Sequence, residues 1–189
     1  MAYTEELIQL FETVKHNEGR GYDPDDPAGA TIYGIAKIYH EEEYNKLIAL
    51  INEGKENTDE FKQTLYDVYY SIYTEHQSVA NLLPGPIKWQ YFDFYFNAGK
   101  HANETLQKTI NQLDIANLVV DGIIGPKTKG VVKKIDWTST LISTFYSTYT
   151  VNRVDWYNEQ RHKSGKFVGG WIDRVVRTHR RIIDFFGHV

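Results

Sequence analysis

The sequence predicts a mostly α-helical protein with one short β-hairpin or irregular loop near residues 22–34. Three observations carry this. Apolar residues recur at spacings of three and four along much of the chain. Glycine and proline break these stripes at a few places, chiefly 19–34, 54, 84–86 and 122–126. One segment, IKWQYFDFYFNAG (87–99), is apolar nearly all round, as a helix buried at the centre of a fold is.

Taken in order, Leu7, Phe11 and Val14 mark one face of a first helix, ended by Gly19 and Gly21. A Pro/Gly/Asp-rich turn region follows over 22–34. Tyr44, Leu47, Ile48 and Ile51 make a second amphipathic helix, stopped by Gly54. Phe61, Leu65, Val68 and Ile72 make a third, and Pro84-Gly85-Pro86 is a firm break before the aromatic segment. Leu106, Ile110 and Leu113 continue as another helix. In VDGIIGPKT (120–128), Pro126 suits the first helical position, where its missing N–H costs nothing. Residues 139–160 and 171–186 complete the set, the last with Trp171, Val175, Thr178, Ile182 and Phe186 along one side.

The bulk numbers narrow the function. The 189 residues, 41% of them hydrophobic, suffice for one good-sized core or a core with a small lobe. There is no cysteine, which excludes disulfides and cysteine chemistry. A net charge of −4 argues against general nucleic-acid binding, and the basic run RVVRTHRR (174–181) reads as a solvated helix face. No stretch approaches 18 apolar residues, so no membrane span is expected. The start, MAYTEELIQL, is acidic where a signal peptide is basic. The expectation is synthesis in the cytoplasm without a cleavable signal, with any action on the cell wall or periplasm following release. The seven histidines show no metal-ligand spacing, so neither a metal nor another cofactor is expected.

The chemistry concentrates in HNEGRGYDPDDPAGATIYGI (16–35). Extending the stripe Leu7, Phe11, Val14 by four places Glu18 on the buried face of the last helical turn. Burial disfavours its charged form, and the negative end of the helix dipole acts the same way. Both favour a protonated carboxyl, which a general acid requires. Asp23, Asp25 and Asp26 supply candidates for a second, ionised carboxylate, and such a pair is what glycoside hydrolysis uses. Thr31 adds a hydroxyl able to hold a water. A calcium loop fits worse, because Pro27, Ala28 and Gly34 fall where an EF-hand counted from Asp23 needs an acid or Asn, Gly and Glu.

These residues resemble the N-terminal motif of glycoside hydrolase family 108, the phage endolysin-type N-acetylmuramidases, some of which are labelled secretion activators. The matching positions are Glu18, Gly19, Gly21, Tyr22, Asp26, Pro27, Gly29, Thr31, Tyr33, Gly34 and Ile35. FDFYFNAG with LQKTINQL (92–99, 106–113) resembles the family's middle motif, VDGIIGPKT its C-terminal peptidoglycan-binding region, and NRVDWYNEQ and KFVGGWIDRV (152–160, 166–175) its closing motifs. The sequence departs from the pattern at Ala28, which stands at the first of the two glycines the family usually has after Asp-Pro, and at Arg20, inserted between Gly19 and Gly21. The resemblance implies a lysozyme-like helical fold. It also implies a muramidase cleaving the β-1,4 bond between N-acetylmuramic acid and N-acetylglucosamine, with Glu18 as general acid. Asp26 is then the second carboxylate, and Thr31 places a water.

Other residues carry two readings. Asp93 and Asn97, one helical turn apart, either border a cleft as sugar-binding groups or satisfy buried neighbours; the family match at Asn97 favours the cleft. Tyr33 either stacks on a sugar or is a core ring with its hydroxyl bonded. Trp171 reads as core, and Arg174 as the partner of a buried carboxylate, with Glu18 itself one candidate. The expected organisation is a catalytic part over 1–103 and a peptidoglycan-binding-like helical part over 104–189, in a monomer whose partner is the glycan strand. The alternatives are a lytic transglycosylase, and a non-catalytic protein that binds peptidoglycan or assists secretion.

Overall fold

The computed structural model describes residues 3–21, 30–76, 79–161 and 168–187. Among these it contains eight α-helices and one two-stranded antiparallel sheet. The chain divides into two compact units, Met1–Gln77 and Ser78–Val189. The expected boundary between residues 103 and 104 falls inside a helix of the second unit.

In the first unit, helix α1 spans Glu5–Glu18. Thr4 caps it by accepting the Leu7 N–H, and Glu5 and Glu6 sit at the positive end of the helix dipole. Its inner face buries Leu10, Phe11 and Val14 completely. Strands β1 (Thr31–Ile32) and β2 (Ile35–Ala36) follow, so the hairpin falls at the end of the predicted turn region. Thr31 opposes Ala36 and Ile32 opposes Ile35. The two residues between them, Tyr33 (φ 47°) and Gly34 (φ 76°), both have positive φ, the signature of a type I′ turn whose twist matches paired strands. Alternation buries Ile32 and Ile35 and leaves Thr31 half-exposed.

Helices α2 (Glu41–Asn52) and α3 (Asp59–Ser71) pack on each other, and α3 also packs on α1. Phe11 meets the rings of Tyr66 and Tyr69 at 5.7 and 5.8 Å. Tyrosine–carboxylate hydrogen bonds fasten the unit: Tyr3 donates to Asp67, and Tyr66 donates to Glu12. The α3 helix runs on into one π-helical turn, Ile72–His76.

In the second unit, α4 (Gly85–Ala98) is the aromatic helix of the sequence, and it packs against α5 (Lys100–Gln112), α7 (Ser139–Glu159) and α8 (Val168–Phe186). Contact on several sides explains why its apolar residues run all round instead of forming a stripe. Phe94 is fully buried and meets Tyr149, Trp156 and Tyr157 edge-on; burying such a ring is worth about 1.5–3 kcal/mol. Helix α6 (Pro126–Lys134) begins at the predicted proline. The loop before it is clamped by three amides one turn apart on α5: Asn103 donates to Gly122 O, Gln107 accepts from the Asp121 and Gly122 N–H groups, and Asn111 exchanges two bonds with Leu118. No helix among the described residues is long and apolar enough to cross a membrane.

Candidate active site

Glu18 is the last residue of α1, half-buried, one helical turn after the fully buried Val14. The helix stops there for a local reason. Gly19 has φ 62° and ψ −173°, a conformation open essentially to glycine alone, and its N–H closes the helix on Lys15 O at 3.0 Å. Gly21 is also left-handed (φ 53°), and a Cβ there would lie 3.5 Å from the Glu18 carbonyl oxygen. The chain therefore turns away from Glu18 at once and leaves the carboxyl at the helix end.

The same turn is joined to the hairpin. Tyr33 N–H donates to Arg20 O at 3.2 Å, Tyr69 donates its hydroxyl to Tyr33 O at 2.7 Å, and Tyr33 donates its own hydroxyl to Glu56 Oε1 at 2.5 Å. The Arg20 guanidinium lies 3.6 Å from the same Glu56 oxygen. Arg20, the residue inserted into the motif, is thus knitted into the turn through its carbonyl. One residue, Gly19, separates Arg20 from Glu18, and one, Ile32, separates Tyr33 from Thr31, so one short hydrogen-bonded path links the acid to the hydroxyl-bearing strand. Burial, and then donation to Glu56, push the Tyr33 hydroxyl up to about 12.

Tyr33 is half-buried: its ring meets Phe61 edge-on at 5.8 Å, Lys15 Nζ lies 5.6 Å from its centroid, and its hydroxyl is bonded. Asp26, with Asp23 and Asp25, lies outside the described residues.

In the second unit, Asp93 is fully buried and its carboxylate is surrounded. Oδ2 accepts from Arg153 Nη2 at 2.6 Å and from the Thr178 hydroxyl at 3.0 Å; Oδ1 accepts from Arg174 Nη2 at 2.7 Å and Nε at 3.0 Å. Arg174 therefore pairs with a buried carboxylate, and that carboxylate is Asp93; of the other basic residues in the run, Arg180 is exposed while Arg177, His179 and Arg181 are half-buried. Of the two readings of Asp93, this geometry is the one that satisfies buried neighbours. Asn97, half-buried, accepts the Tyr157 hydroxyl at 2.8 Å, and Tyr157 stacks on Trp171 at 5.4 Å.

The residue missed in the sequence is Arg153. It is fully buried and bonds Gln90 Oε1 at 2.8 Å as well as Asp93. Burial disfavours its charge, but Asp93 and Tyr157 beside it outweigh that and raise its pKa. A signal existed: Tyr149, Arg153 and Tyr157 repeat every four residues, which puts the arginine on the buried tyrosine face of α7. Among the described residues no group of three or more His, Asp or Glu side chains is placed to hold a metal ion.

Two family models match the chain: glycosyl hydrolase 108 over residues 11–99, and the predicted peptidoglycan domain over 101–176. The first takes in Glu18, the hairpin and α4; the second takes in α5 to the middle of α8. No curated protein and no solved structure gives a significant match. With the half-buried acid at a helix end, the two matches make residues 11–99 a glycosyl hydrolase 108 region and residues 101–176 a predicted peptidoglycan domain, the pairing of a glycoside hydrolase that acts on peptidoglycan.

Proposed function

We propose that the protein is an N-acetylmuramidase. It hydrolyses the β-1,4 bond between N-acetylmuramic acid and N-acetylglucosamine in bacterial cell walls, which it meets after release from the cytoplasm. Glu18 is the general acid: it gives its proton to the glycosidic oxygen as the bond to C1 breaks. Asp26 stabilises the positive charge that develops on the sugar ring or takes a proton from the incoming water, which Thr31 holds. Water adds at C1, leaving a reducing N-acetylmuramic acid end, and the proton it loses restores the acid–carboxylate pair. Tyr33 is assigned as a sugar contact of the first unit. The observation that carries this reading is Glu18 itself. It is a carboxyl at the negative end of α1, partly withdrawn from water, held by a glycine turn that is hydrogen-bonded to the hairpin.

The test is digestion of purified peptidoglycan with mass spectrometry of the soluble fragments. Reducing N-acetylmuramic acid ends are expected, and Glu18→Gln should abolish them without changing the unfolding temperature. Anhydro-muramic ends would assign a lytic transglycosylase instead. No fragments, where a control lysozyme works, would leave wall binding without catalysis.

A further inference from the structure

The two units carry opposite charge. Residues 78–189 hold fifteen lysines and arginines against nine acids, a net +6, and residues 1–77 hold six against sixteen, a net −10. Part of the positive excess is gathered on α6, which has four lysines in nine residues (Lys127, Lys129, Lys133 and Lys134) and no acid. None of the four forms an ion pair with a described residue. Thr128 and Val132 take the inner face of α6, so the lysines occupy the rest of it. We propose that residues 119–134 bind the stem peptide of peptidoglycan. The lysines pair with its free carboxylates, and the loop before α6 covers its alanine methyl groups. The inference rests on the muramidase reading for the polymer and deepens it by naming the part this region holds.

That loop is clamped and apolar on its outside. Its backbone is bonded by Asn111 at Leu118, by Gln107 at Asp121 and Gly122, and by Asn103 at Gly122. Leu118 is buried beneath it, yet Val119 is 68% exposed, Val120 47% and Ile123 67%. A loop held at three points cannot turn these side chains inward, so three aliphatic groups stay in water until a ligand covers them. Asp121, the one acid of the stretch, is committed to the clamp. It accepts from the Ile123 N–H at 2.8 Å and from Gln107 Nε2 at 2.9 Å, and these bonds hold its carboxyl below the usual range. Lys127 ties the helix to the loop, because its Nζ donates to Asn117 O at 3.3 Å, beside Leu118 and Val119. Lys134 follows two turns later on the same flank.

An aliphatic surface rimmed by unpaired ammonium groups is complementary to a ligand with methyl groups and carboxylates. The stem peptide has both: alanines, and free carboxyls at its γ-linked glutamate and its terminal alanine. The glycan strand fits less well, because aromatic rings hold sugar faces and residues 117–134 contain none. The whole patch lies inside the region that matches the predicted peptidoglycan domain.

The test is an NMR titration of the full, isotope-labelled chain with N-acetyl-L-Ala–γ-D-Glu–L-Lys–D-Ala, against the same peptide with both carboxyls amidated. Amide shifts from the acid peptide should cluster over residues 117–134. Amidation, and the double variant Lys127→Gln with Lys134→Gln, should each weaken binding about tenfold, as loss of two exposed ion pairs does. Ile123→Ser should weaken it about fivefold. Arg180→Gln, which removes an exposed charge outside the patch, should bind as the unaltered chain does. The amidated peptide removes the same charges without touching the fold, so a misfolded variant does not decide the matter. Shifts confined to other residues, equal binding of the two peptides, an equal loss in Arg180→Gln, or no binding at millimolar peptide would overturn the proposal. Binding of phosphatidylglycerol vesicles or a chitooligosaccharide at these residues in place of the peptide would overturn it too. The peptide has no glycosidic bond, so a negative result here leaves the muramidase assay untouched, and failure of that assay leaves this one standing.

Discussion

Replacing Asp93 by asparagine tests whether the charge arithmetic of the buried cluster governs the second unit. Two guanidiniums, Arg153 at 0% and Arg174 at 4% exposure, converge on this one carboxylate. For Arg153 it is the one carboxylate partner among the described residues. Asp93→Asn leaves that guanidinium buried without a counter-charge, which costs about 3–5 kcal/mol. For a unit of this size about 4 °C is lost per kcal/mol, so the transition should fall by about 12–20 °C. Arg153→Met should cost less, about 1–3 kcal/mol, because Asp93 keeps both bonds from Arg174 and the bond from Thr178. What Arg153→Met forfeits is its ion pair with Asp93, its bond to Gln90 Oε1, its contact with the Tyr157 hydroxyl, and its place over the Phe94 ring. All four tryptophans (89, 137, 156 and 171) lie in the second unit, so tryptophan fluorescence during urea unfolding reports it separately from the first. If Arg153→Met proved as damaging as Asp93→Asn, packing and not charge balance would hold these helices, and the reasoning would fail.

Two further outcomes follow from the first unit. Gly19→Ala meets no steric obstacle but forces a backbone conformation reserved for glycine, so it should cost about 1–3 kcal/mol in thermal unfolding and reduce peptidoglycan hydrolysis by displacing Glu18. The Tyr33 hydroxyl holds its proton to about pH 12 in the fold against about 10 unfolded, through burial and then its bond to Glu56. The stability this confers is complete below pH 10 and is lost as pH rises from 10 to about 12. Tyrosinate absorbance should therefore show one fewer late-titrating group in Tyr33→Phe, together with a shallower alkaline loss of stability; identical titrations would refute the Tyr33–Glu56 bond.

What was legible in the sequence was local. The stripe Leu7–Phe11–Val14, the stop at Gly19 and the start at Pro126 depend on neighbours within one or two turns, where the 3.6-residue period and backbone sterics act directly. The aromatic run 87–99 announced its own central position because no solvent-facing side remained for it. The motif around Glu18 was readable for the same reason, since glycines and acid lie within four residues of one another.

The long-range polar pairing was decided by the tertiary structure alone. Arg153 and Asp93 are 60 residues apart and Arg174 and Asp93 are 81 apart, yet one carboxylate receives both. Tyr157 and Asn97 are separated by 60, and Glu56 finds Tyr33 across 23. No periodicity encodes such partners: a buried charge is tolerable only beside its opposite, and which opposite arrives is set by the angles at which helices pack. The sequence alone therefore determined the helices, their order and the position of the acid. Tertiary packing determined that Asp93 joins helices and that Arg153 belongs with it.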